Sequence, residues 1–129
     1  MPTTEVRFYR EADGVVPVRE WLADLLDRDE KAAANCIAVI RRLAEMGHEL
    51  RRPQADYLRD GIYELRAKRG RVNYRILYFF HGRNIALLAH ALTKEDKVPN
   101  ADMERALKRK KRYENNPQTH TAEETIEES

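Results

Sequence analysis

A single cysteine, Cys36, rules out an intramolecular disulfide. Its place inside an apolar helical stripe marks it as a small core residue rather than a nucleophile. No apolar run approaches the ~20 residues that a bilayer span needs, and charged residues make up 36% of the composition, so a soluble protein is expected. Zinc-like spacing is missing as well: His48, His81, His90 and His120 are scattered along a chain with one cysteine, and no metal site is expected from that pattern. The first residues show no charged leader ahead of an apolar segment, which points to a cytoplasmic protein with no membrane partner. No internal repeat is visible.

What is present is positive charge, unevenly placed. The net charge of +2 over 129 residues includes five glutamates between Glu114 and Ser129, a stretch without lysine or arginine. Those five leave a body of +7. The stretch Arg51 to Arg83 holds nine basic against three acidic residues, and Arg105 to Arg112 adds six more basic ones. Clustered cations suit a polyanion, because each neutralised phosphate releases condensed counterions, so nucleic acid is the natural partner. The run Lys108-Arg109-Lys110-Lys111-Arg112 has a plainer reading too, as a solvated helix end whose cations complement the C-terminal dipole.

The length suits one domain with one core. Glu5 to Arg10 reads as a first strand, and Asp13-Gly14 as a turn. Pro17 opens a short helix with an apolar stripe of Trp21, Leu22, Leu25 and Leu26. A longer helix carries Ala33, Ile37, Ile40 and Ala44, flanked by Cys36 and Leu43, and Gly47 closes it. His48 to Arg59, broken by Pro53, is expected to be a basic loop. After the strands described next, Pro99 opens a last helix through Met103, Ala106 and Leu107. Residues 1–113 are expected to form the domain, and residues 114–129 a disordered acidic tail too poor in apolar surface to offset chain entropy.

The most informative segment is a hairpin. Ile62 to Arg66 and Val72 to Tyr78 alternate on either side of an Arg69-Gly70 turn. Alternation puts Tyr63 and Leu65 on one face with Val72, Tyr74, Ile76 and Tyr78, and Glu64, Arg66, Asn73 and Arg75 on the other. One face is expected to be core and the other a charged floor. A third strand, Asn84 to Leu92, sends Ile85, Leu87, Ala89 and Ala91 to the core and His90 to the polar face if the register is maintained. An arginine on a solvated sheet face, or one histidine in a strand, is ordinary taken singly. Two arginines and a histidine converging on one face can hold a phosphate.

Four motifs in order, Glu64-Leu65-Arg66, Tyr74-Arg75-Ile76-Leu77-Tyr78, Leu87-Leu88-Ala89-His90-Ala91-Leu92, and Lys94 followed by Lys97-Val98-Pro99, resemble the RelE/ParE toxin superfamily. The likeness covers about residues 5 to 113 and is greatest to the phage-derived HigB-type toxins of type II toxin-antitoxin systems. Leu92 stands where many relatives carry phenylalanine, and Glu95 where a second basic residue is common; these departures bear on RNA stacking and on the basic cluster. The resemblance implies an α+β, RelE-like β-α-α-β-β-β-α fold with an antiparallel-rich sheet packed on helices. It implies a toxin that enters the ribosome and cleaves mRNA without metal or other cofactor, held in check by a cognate helix-turn-helix antitoxin. Arg66 and Arg75 match the family's sheet arginines, suited to the pentacoordinate phosphorane because a guanidinium binds phosphate in bidentate fashion. His90 and Lys94 match positions near the active-site floor, for proton transfer or charge stabilisation, with the acid and base unassigned between them. Lys97, Lys108, Arg109, Lys110 and Lys111 are the candidate RNA-binding residues. Two alternatives stay open: a ParE-like gyrase inhibitor acting by protein contacts, and a noncatalytic nucleic-acid-binding module.

Overall fold

The structure is a computed structural model and describes residues 3–93 and 97–125. Its elements are β1 (Glu5–Tyr9), α1 (Pro17–Arg28), α2 (Glu30–Met46), β2 (Ala55–Arg59), β3 (Ile62–Arg69), β4 (Val72–His81), β5 (Ile85–Thr93), α3 (Asn100–Asn115) and β6 (Thr121–Thr125). The fold is α+β, with a six-stranded mixed sheet in the order β2-β3-β4-β5-β1-β6. Among the described strands only the β1–β5 pairing is parallel.

The helical pair is built around one residue. Pro17 starts α1 with its φ preset. Asp29 then caps α2, its carboxylate accepting from the Ala32 N–H at 3.1 Å. Arg69 of the β3–β4 hairpin reaches the same carboxylate at 3.3 Å and ties the helix joint to the sheet. Gly47 ends α2 at φ 55°, where a Cβ would run into the Thr4 hydroxyl, so glycine is required on both counts.

Two cores form instead of one. On one face, α1 and α2 cover Val6, Phe8, Leu65, Ala67, Tyr74, Ile76, Tyr78, Ala86 and Leu88. On the other face, α3 covers Tyr9, Ile62, Leu77, Phe79, Leu87, Ala89 and Leu92. The expected charged floor is therefore only the part of that face that α3 leaves open. Burying Leu77, Phe79 and Leu87 on the α3 side stabilises the fold by roughly 1.5–3 kcal/mol per side chain, which is why the strands are apolar on both faces through their middle.

The structure corrects several expectations. Val18 lies in the α1 stripe while Leu26 is 52% exposed. The stretch expected as a loop contains β2, an edge strand that buries only Ala55 and pairs with β3, so its alternation is nearly invisible in sequence. Residues 114–125 are not a disordered tail: α3 runs to Asn115, and β6 adds antiparallel to β1. Chemistry outside the strand holds β6 in place. Arg10 binds the Thr119 carbonyl at 3.0 Å, His120 donates from Nδ1 to the Arg10 carbonyl at 2.8 Å and stacks on Tyr9, and Ala122 joins the first core. Among the described residues no helix is long and apolar enough to cross a membrane.

Candidate phosphate site on the open sheet face

In the β3–β4 hairpin, Arg66 and Arg75 are direct cross-strand partners. Like charges in such a pair repel. Glu64 precedes Arg66 by two residues and so shares its face, where its carboxylate answers both cations. Its Oε2 accepts from Arg66 Nε at 2.7 Å and Nη2 at 2.6 Å, and its Oε1 accepts from Arg75 Nη1 at 2.7 Å. Glu64 is 1% exposed, Arg75 12% and Arg66 37%, so the anion is buried, Arg75 is largely so, and Arg66 is the cation that reaches solvent. At the sheet edge Asp56 accepts from Arg52 at 2.9 Å and Arg66 at 3.3 Å, and the Arg52 guanidinium holds its carboxyl below the usual carboxylate range. Three arginines against two carboxylates leave a net cation, and a guanidinium has five donors, so salt bridging on one edge does not exhaust it. The arrangement suits one phosphodiester oxygen pair.

His90 shares the face of Arg66 and Arg75, as alternation led one to expect, but Ile85, Leu87 and Ala89, expected in the core with Tyr63 and Leu65, lie on that α3 side too. The β4–β5 pairing slips between Leu77 and Tyr78: Leu88 faces Tyr78, whereas His90 faces Leu77. This bulge puts both Ala89 and His90 on the α3 side and returns Ala91 to the first core. His90 is 8% exposed and both ring nitrogens are engaged by α3. Arg109 can only donate, so Nδ1 is its acceptor at 3.3 Å, and Nε2–H donates to Asp102 at 2.6 Å. Burial lowers the His90 pKa, Asp102 opposes that and Arg109 reinforces it; the net direction is down, in keeping with the neutral tautomer these bonds require. In this state His90 joins α3 to β5.

Arg109, expected among the RNA-binding residues, turns inward. Its side chain is 13% exposed and donates to the Ala89 carbonyl at 2.8 Å and to Glu11 at 3.1 Å, with its guanidinium 5.9 Å from the centre of the Tyr9 ring. Lys110 is paired with Glu114 at 2.8 Å. Lys97, Lys108 and Lys111 are exposed. Lys94 lies outside the described residues. Cys36 is buried, which pushes its thiol pKa up to about 12. Sequence reasoning missed Glu64, Asp56 and Asp102 as partners. For Glu64 the signal was there, two residues before Arg66 on the same face; for Asp102 it was the seven-residue spacing to Arg109, which puts both on one side of α3. A cleft of about 640 Å³ elsewhere is lined by Glu11, Asp13 and Glu20 as well as Arg109 and Arg112, a mixed charge that does not favour a polyanion.

A family model described as phage derived protein Gp49-like (DUF891) matches residues 22–111, which include the whole hairpin, β5 and most of α3. The chain belongs to this phage-derived Gp49-like family, which is part of the RelE/HigB-like toxins and so related to the toxins of toxin-antitoxin systems. No curated protein matches the chain.

Proposed function

We propose that the protein is a HigB-type toxin of a type II toxin-antitoxin system that cleaves mRNA on the ribosome. The observation that carries this reading is the Arg66–Arg75 pair, directly opposed across the hairpin and joined by one buried carboxylate, with Arg66 partly exposed. Attack by the ribose 2′-hydroxyl builds negative charge on the equatorial oxygens of a pentacoordinate phosphorane, and fixed guanidinium groups in a partly dry site stabilise that charge more than they stabilise the ground state. No metal or other cofactor has a role in this scheme. Lys94, with His90 if α3 releases it, supplies the candidates for proton transfer. Lys97, Lys108 and Lys111, all exposed, are the cations this reading assigns to RNA phosphates, through long-range attraction. Cytoplasmic ribosomes and mRNA are the target, and a helix-turn-helix antitoxin is the expected partner.

The occupied nitrogens of His90 favour one rival, a noncatalytic RNA-binding module. Purified protein added to translating ribosomes separates the two. The nuclease yields mRNA fragments ending in a 2′,3′-cyclic phosphate, and the binding module yields intact mRNA.

A further inference from the structure

Among the described residues Glu64 is the most deeply buried carboxylate, at 1% exposure, and its geometry asks for a purpose beyond neutralisation. A buried ion pair is a weak source of stability, since removing charges from water costs about as much as their attraction returns. Here the carboxylate holds two guanidinium groups at once, one oxygen each, at 2.6 to 2.7 Å. Arg66 is engaged through Nε and Nη2, which fixes the plane of its guanidinium as well as its position. Long arginine side chains have many rotamers to lose, and two opposed cations would otherwise splay apart.

We propose that Glu64 is a positioning residue, which sets the spacing and plane of Arg66 and Arg75 for phosphodiester cleavage without touching the RNA. This rests on the nuclease function proposed above. Glu64→Gln replaces one acceptor oxygen by an NH2 that faces a guanidinium, so one arginine is released while the local charge becomes more positive. Glu64→Asp keeps the charge on a shorter arm that does not span both partners.

The test is single-turnover cleavage of mRNA on purified ribosomes by the full chain, with rates expressed per folded molecule by circular dichroism, beside RNA affinity measured separately. For Glu64→Gln the expected result is a cleavage rate lower by roughly 30- to 100-fold, as for a misplaced transition-state donor, with RNA affinity equal or higher. For Glu64→Asp it is a rate lower by at least about fivefold, on the same misplacement argument, with affinity within about twofold. A residue that serves folding alone would move neither rate once folded molecules are counted. Wild-type rates in a folded variant, or loss of folding in both variants, overturn the positioning role while the nuclease function stands. Absence of cleavage by the wild type overturns the nuclease function and this role with it.

Discussion

Replacing Arg109 by leucine should cost about 3 kcal/mol of stability, although the residue lies in a basic run that sequence alone offers to RNA. The structure gives the terms. Arg109 donates to the Ala89 carbonyl at 2.8 Å, to Glu11 at 3.1 Å and to His90 Nδ1 at 3.3 Å. The bond to a carboxylate is worth about 1.5–3 kcal/mol and the two to neutral acceptors about 1 kcal/mol each, the long one less. Leucine keeps most of the stem packing against the sheet, so that part of the arginine is retained. Glu11 keeps Arg112 at 3.2 Å and the Tyr9 hydroxyl at 2.8 Å, which holds the cost near the lower end of the 3–5 kcal/mol seen when a buried charge is orphaned. Burial also disfavours the Arg109 cation itself, and its removal returns some of that. For a chain of this size 3 kcal/mol corresponds to a melting temperature lower by roughly 10 °C. Thermal and urea melts of Arg109→Leu and of Lys108→Gln, an exposed neighbour in the same run, make the measurement. Equal melting of Arg109→Leu and wild type, or equal loss in both variants, would refute the inward assignment.

Arg75→Ala should lower the mRNA cleavage rate by about 10²–10³, and the Arg66→Ala, Arg75→Ala double variant should be harmless when expressed without a partner; growth arrest equal to wild type would sink the phosphate role of the pair. Neutralising Lys108 and Lys111 together should reduce the salt dependence of RNA binding, the slope falling by about 0.7–0.9 for each phosphate that is no longer neutralised, and an unchanged slope would make them plain solvated charges. Burial puts His90 below its ordinary 6.5, so the unfolded chain takes up that proton first as pH falls. The His90 contribution is then complete above about pH 6.5 and declines below it until the folded pKa is passed; a His90→Gln variant should show a shallower loss of stability between pH 7 and 5, and identical pH profiles would count against this. Removing residues 116–129 should destabilise the protein, because His120 and Ala122 leave buried positions and β1 becomes a bare edge; a truncated protein that melts like the full chain would show β6 to be a bystander.

The amino-acid sequence alone determined the elements whose pattern is local. Pro17, Gly47 and Gly70 mark their boundaries by backbone preference, and alternation in Ile62–Arg66 and Val72–Tyr78 put Arg66 and Arg75 on one face without knowledge of the rest of the chain. Composition placed the positive charge in the body. Tertiary structure decided what depends on contact between distant segments. The edge strands β2 and β6 carry little apolar alternation and exist because a neighbour's backbone offers hydrogen bonds, which no local pattern records. The slip between Leu77 and Tyr78 reversed the facing of everything after it in β5, bringing His90 to α3. Within one basic run the fold turned Arg109 inward and left Lys108 and Lys111 in solvent, because helical position relative to the sheet, and not charge, selects which side chain is buried.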